Sequence, residues 1–198
     1  MVTGLGSEMA DRNAHFDGLP IAGTGVRLCL EQVLRDRIPV PMTLFTFGYE
    51  GLSIDAFIAR LKKAGVRTVL DVRQLPLSRK PGFSKGALST ALHATGIVYA
   101  HLPALGCPRP IRDRYKADGD WAAYVKAFSA YLAGQGEAVT ELARIAKKTS
   151  ACLVCFEADF NRCHRSIVAR ATARAGGPRV VHLTIKGEIP DLAARAVA

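Results

Sequence analysis

From residue 43 onward, short apolar runs alternate with stretches of helical period. TLFTFG (43–48) is mostly apolar, aromatic or β-branched, which predicts a strand. Ser53 then precedes a segment in which Phe57, Ile58 and Leu61 share one helical face, and Gly65 ends it. VRTVLDVR (66–73) predicts a second strand, and Ser84 caps a helix that carries Leu88 and Leu92 up to Gly96. IVYAHL (97–102) is a third strand. Asp120 caps a helix with Trp121, Val125, Phe128 and Leu132 on its buried side, and a further helix carries Val139, Leu142 and Ile145. ACLVCFE (151–157), a helix from about 162 to 175, and RVVHLTI (179–185) complete the series.

Regular alternation of strand and helix implies βαβ units. The expected fold is therefore α/β: a single three-layer domain over residues 42–190, with a mainly parallel sheet of about five strands and helices on both faces. Residues 1–41 lack a sustained period and read as a poorly ordered extension, with one short helix at 26–37 around Leu30, Val33 and Leu34. IPVPM (38–42) breaks that helix, and Met42, immediately before the first clear strand pattern, is an alternative start. Residues 191–198 read as a C-terminal tail.

Composition changes this picture in two ways. A hydrophobic content of 49% with 22% charged residues supports a buried core. No apolar run reaches the roughly 20 residues that span a bilayer, and no secretory leader is visible, so the expected compartment is the cytoplasm and no membrane partner is expected. Five unevenly spaced cysteines do not suggest a disulfide framework. The excess of 27 Lys and Arg over 17 Asp and Glu gives a net charge of +10, which favours an anionic small molecule or nucleic acid as partner. Solvated basic faces would give the same count.

Ligands in open α/β sheets bind outside the carboxyl ends of the strands. Every predicted strand here ends in polar chemistry: Tyr49 and Glu50, Asp71 and Arg73, Tyr99 and His101, Glu157 to Arg165, and His182 to Lys186. The densest of these is CFEADFNRCHR (155–165), which admits three readings. A metal site is disfavoured, because Cys152 and Cys155 form a C-x-x-C inside a strand, where positions three apart point to opposite faces. No metal and no cofactor is expected. A nucleophile is the second reading: with Asn161 as N-cap, Cys163 falls in the first helical turn beside Arg162 and Arg165, which favours its thiolate. His164 is then adjacent in sequence but on another helical face, so a base would come from Glu157 or His101. The third reading is an anion site at the helix N-terminus, with Arg165 as a fork. This is preferred, with a reactive Cys163 as an added layer. A small residue packing a tight turn explains Cys163 equally well.

Two further basic segments follow the strand exits. DVRQLPLSRKPGFSK (71–85) places Asp71 and Arg73 on one strand face, then Ser78, Arg79, Lys80 and Lys85 on a loop held by proline and glycine. LGCPRPIRDRYK (105–116) carries Arg109, Arg112, Arg114 and Lys116 beside Tyr115, a pattern that suits a nucleic-acid strand, though no nucleic-acid-binding motif accompanies it.

TFGYEG, LDVRQLPLSRKPGFSK, GIVYAHLPALG and LVCFEADFNRCHR together resemble the successive signatures of the bacterial domain of unknown function 488 family, over about residues 43–187. The C-x-E-x-x-x-x-x-C-H-R string is the most specific of them. The resemblance singles out Asp71, Arg73, Ser78, Arg79, Cys155, Glu157, Cys163, His164 and Arg165, and implies no established activity. Cys107 departs from it, since the family often has a second glycine there.

The functional expectation is an α/β domain that binds a nucleotide, phosphoester or nucleic acid. In its enzymatic form, a hydrolase or transferase, Cys163, Glu157 and His164 are the catalytic candidates, and Tyr49, Asp71, Arg73, Ser78, Arg79 and Arg165 bind the ligand. The alternative is a non-catalytic nucleic-acid-binding or adaptor module. A deep pocket would favour the first, and an open stripe from Arg109 to Lys116 the second.

Overall fold

Thr43–Gly48 (β1) is buried at every position, which is what a strand covered on both faces requires. It forms the interior of a sheet described, in a computed structural model, together with the rest of residues 42–195. The expected extension over 1–41, with its helix at 26–37 and Cys29, lies outside the described residues. So do the last three residues of the chain.

The strands after β1 are Thr68–Asp71 (β2), Val98–His101 (β3), Ala151–Cys155 (β4), Arg179–Leu183 (β5) and Glu188–Pro190 (β6), in spatial order β3-β2-β4-β1-β5-β6. The first five run parallel, and β6 pairs antiparallel to β5. In register, Phe45 of β1 stands between Cys152 of β4 and Val181 of β5. The helices are Ile54–Lys63 (α1), Lys85–His93 (α2), Arg109–Asp118 (α3), Trp121–Ala133 (α4), Gly136–Ala146 (α5) and His164–Arg174 (α6). Ser53 caps α1 and Asp120 caps α4, each accepting a backbone N–H three residues on.

Two cores confirm the three layers. Phe57, Ile58 and Leu61 of α1 and Leu88 and Leu92 of α2 pack with Phe45, Phe47, Cys152 and Val154 on one face. Phe128 and Leu132 of α4, Leu142 of α5 and Val168 of α6 pack with Leu44, Leu70, Ala151 and Leu153 on the other. The chain leaves β1 toward β2 in one direction along the sheet and leaves β4 toward β5 in the other. Right-handed crossovers then put the two sets of helices on opposite faces and open a crevice between the carboxyl ends of β1 and β4.

Three local expectations change. The sheet has a sixth strand, and Asp191, read as the start of a tail, is buried and bonded to His182 and Arg170. Helix α3 begins within the basic segment 105–116, where no helix was expected. It buries no residue, so it leaves no hydrophobic period, and its visible signals are Pro110 in the first turn and Gly119 closing it at φ 68°. Finally, α6 begins at His164, with Cys163 rather than Asn161 as N-cap in extended conformation (φ −135°, ψ 137°). A 3-10 turn over Phe160–Arg162, capped by Asp159, takes up the residues between.

Among the described residues, no helix is long and apolar enough to cross a membrane.

Candidate functional site

The crevice is built from the exits of β1 and β4. Tyr49 N donates to the Cys155 carbonyl (3.2 Å), Glu50 N to the Phe156 carbonyl (2.8 Å), and Ala158 N to Glu50 Oε2 (2.9 Å). Gly48 must be glycine for this approach, because a Cβ there would overlap the Glu157 carbonyl oxygen. From the other side Arg165, fully buried, donates to the Glu157 carbonyl from Nη1 (2.6 Å) and to the Ala158 carbonyl from Nη2 (3.1 Å). Its Nε has no protein partner, and it makes no ion pair among the described residues. Arg165 thus holds the loop and brings an unneutralised charge.

That loop closes a cluster of four reactive side chains. Cys155, Glu157, Cys163 and His164 each offer a ligand atom, all within 4.8 Å of one another. Cys155 Sγ lies 2.8 Å and Cys163 Sγ 3.1 Å from the same Glu157 oxygen, Oε2. His164 Nδ1 lies 3.6 Å from Cys155 Sγ and 3.9 Å from Cys163 Sγ, while Nε2 lies 2.8 Å from the Val72 carbonyl. A carbonyl only accepts, so Nε2 carries the proton and Nδ1 faces the sulfurs. The expectation that His164 would point away from Cys163 fails because Cys163 is outside the helix. From this extended N-cap position its sulfur comes within 3.9 Å of His164 Nδ1.

The electrostatics of the cluster follow from crowding. Burial raises the Cys163 thiol, but the Cys155 thiol, the Arg165 charge and His164 outweigh it and hold Cys163 well below its ordinary range. The other groups answer to that thiolate. Cys155 is pushed well up by its hydrogen bond to Cys163 and by burial. Glu157 is raised by burial and by the nearby negative charge. His164 is raised despite burial, through its contact with Cys163. Cys152, on the opposite sheet face as the strand alternation predicts, is raised by burial alone and takes no part.

A second group supports the wall. Asp71 accepts from Arg73 Nε (2.8 Å) and Nη2 (2.5 Å) and from the Tyr99 hydroxyl (2.7 Å). Arg73 Nη1 donates to Tyr49 Oη and to the Phe83 carbonyl, both at 2.8 Å. Tyr49 stacks on Phe83 with centroids 4.2 Å apart. His101 is 2.9 Å from the Arg73 carbonyl and orients this segment. Gly106 lets the loop before α3 pass against the Gln74 backbone, where a Cβ would clash.

Together these elements enclose a cleft of about 820 Å³. Of the candidate residues, Tyr49, Arg73, Ser78, Arg79, Glu157, Cys163 and His164 line it, whereas Asp71 and Arg165 stand behind it as supports. Ser78 Oγ accepts from Lys80 N (3.2 Å) and shapes the loop. Cys155 also lines the cleft; its strand reads as core, and the signals for it were the family resemblance and its parity, opposite to that of Cys152. Arg112, Tyr115 and Lys116 of α3 reach the cleft too, and Arg162, stacked 5.8 Å over Trp121, completes the rim. Arg109 and Arg114 instead pair with Asp113 and Asp118 on exposed helix surface, which breaks the basic stripe.

Residues 53–172, more than half of the chain, match the family model described as Domain of unknown function DUF488. No curated protein and no solved structure matches the chain.

Proposed function

Because the chain belongs to the DUF488 family, whose description carries no activity, we propose a function from the cleft itself: it binds a phosphorylated ligand of nucleotide size. The enzymatic form of this reading places hydrolysis or transfer at the floor, where Cys155, Glu157, Cys163 and His164 meet. The observation that carries it is charge placement. Arg79, Lys80, Arg112, Lys116 and Arg162 line the cleft without an ion pair among the described residues, and Glu157 is the one carboxylate among the described residues that line it. Cations left unpaired around a concave site favour a ligand of opposite charge, and guanidinium forks suit phosphate in particular.

Size and polarity narrow the class. The cleft is far larger than an inorganic anion and falls in the range of small-molecule sites. Leu75, Leu77 and Phe156 line it while 58%, 81% and 43% exposed, an unusual investment of apolar surface at a basic site. A base or other flat apolar moiety covers such a surface while the phosphates meet the cations. A continuous nucleic-acid track is less well supported, since Arg109 and Arg114 are turned to their own aspartates.

Calorimetric titration with nucleoside mono- and diphosphates, beside a single-stranded oligonucleotide, tests this. Arg112→Ala and Arg162→Ala should each weaken nucleotide binding about tenfold, the loss of one charge-assisted contact. Absence of nucleotide binding at low salt, with an oligonucleotide still binding the double variant, would move the function to another surface.

A further inference from the structure

We infer that Cys155, Cys163 and His164 hold a zinc-class divalent cation at the floor of the cleft, with Glu157 as a fourth, exchangeable ligand. The inference shares its site with the proposed function but does not depend on which ligand enters from above. Metal chemistry was disfavoured because the C-x-x-C lies inside a strand, and Cys152 indeed faces away. Cys163 replaces it. The turn over Phe160–Arg162 returns the chain so that the N-cap of α6 meets the end of β4.

The donor types are those that select zinc among the common divalent ions: two sulfurs, an imidazole and a carboxylate oxygen. In a tetrahedral site with the usual zinc bond lengths, neighbouring ligand atoms stand about 3.5 Å apart. His164 Nδ1 is 3.6 and 3.9 Å from the two sulfurs, and all four donors fall within 4.8 Å. The sulfurs approach Glu157 Oε2 more closely, at 2.8 and 3.1 Å, as hydrogen-bonded sulfur and oxygen do; a cation in place of the intervening protons would open both distances. Little rearrangement is needed.

Two independent features behind the donors agree with this. His164 presents Nδ1 because Nε2–H is tied to the Val72 carbonyl, the arrangement by which metal-ligating histidines are held in one tautomer and orientation. Arg165 is fully buried with no carboxylate partner among the described residues, an expensive state for a charge. Two thiolates and a carboxylate on a divalent cation carry one net negative charge, which the guanidinium behind the loop offsets. Of the four donors Glu157 is the one that is not fully buried. Its departure would leave three protein ligands and a fourth position for a phosphate oxygen, the form that metal-assisted hydrolysis uses. Cys163 then acts as a ligand, and the ion polarises the substrate.

The test is titration of the full chain, stripped with a chelator, with Zn²⁺ and with Co²⁺. One equivalent of either should bind per chain, and cobalt should give thiolate-to-metal charge-transfer absorption. Cys155→Ser and Cys163→Ser should each reduce that absorption by about half or abolish it, while Cys152→Ala leaves it unchanged. Glu157→Gln should keep the two-thiolate absorption and bind more weakly, tenfold or more. Arg112→Ala and Arg162→Ala should bind metal normally even where nucleotide binding is lost, which separates this inference from the assignment of the ligand. Circular dichroism verifies that each variant is folded. No saturable charge-transfer band in the wild-type chain, or a band that survives intact in folded Cys163→Ser, would overturn the site.

Discussion

Arg73 was expected to meet the ligand, yet its guanidinium is largely occupied by the protein. Four hydrogen bonds leave it, two to the Asp71 carboxylate, one to Tyr49 Oη and one to the Phe83 carbonyl. The carboxylate is wholly buried and the arginine is 7% exposed, so the pair is a strut between β2 and the cleft wall. Lysine cannot reproduce two parallel bonds from a planar fork. Arg73→Lys should therefore lose about 3 kcal/mol of stability, the scale of a broken buried pair, read as a lower urea midpoint at constant slope. If the midpoint holds and only nucleotide affinity falls, Arg73 is a binding residue after all.

The element that decides the site is the loop from β4 to α6. Arg165 holds its carbonyls from below, Glu50 accepts the Ala158 N–H from above, and Gly48 leaves room for the Glu157 carbonyl. Gly48→Ala should push this loop away and destabilise the fold by about 1–3 kcal/mol, the usual cost of overpacking. It should also lower the metal and nucleotide affinities, since the loop carries Glu157 and leads into Cys163. Gly86 in α2 is the control. A Cβ there meets nothing within 4 Å, so Gly86→Ala should be neutral or stabilising by up to about 1 kcal/mol. Thermal melts of the two variants compare these directly; equal stabilities would mean that the loop yields freely at Gly48.

At the scale of the whole molecule, one buried network ties the far edge of the sheet to α6. His182 of β5 lies 2.7 Å from Thr46 Oγ1 of β1 and 3.0 Å from Asp191 Oδ2, which also accepts from Arg170 Nε of α6 (2.8 Å). Burial keeps His182 below its ordinary pKa, although Asp191 works against this. Its neutral form is the folded one, so the unfolded chain takes up the proton first. The contribution of His182 is complete above the unfolded value of about 6.5 and is lost as pH falls below it. Asp191 is lowered too, since Arg170 and His182 outweigh its burial. Its contribution is present above about pH 3.9 and lost as pH falls through the lower folded value. His164, raised in the fold, has the opposite sign: its contribution is present below about 6.5 and lost as pH rises through the folded value. Melting temperatures from pH 8 to 5 should therefore drop less steeply in His182→Gln than in the wild type, although the variant is less stable at pH 8. Parallel curves would show that His182 does not titrate on unfolding in this range.

Much of this architecture is local in origin and therefore legible in the chain. The buried run of β1, the capped period of α1 and the alternation inside β4 depend on residues a few positions apart, and they led to an α/β sandwich with Cys152 and Cys155 on opposite faces. Helix α3 escaped because none of its residues is buried, and β6 because three exposed edge residues carry no pattern. Residue types also picked out neighbours, for Cys163, Glu157, His164 and Arg79 line one cleft. Their mutual geometry depended on the fold. β1 and β4 are about a hundred residues apart in sequence, and only the strand order makes their ends neighbours. Whether Arg165 meets a ligand or two carbonyls, whether Arg112 faces the cleft or solvent, and which cysteine stands beside Cys163 are set by contacts between elements. Burial, charge compensation and the space left by Gly48 act there across the sheet rather than along the chain.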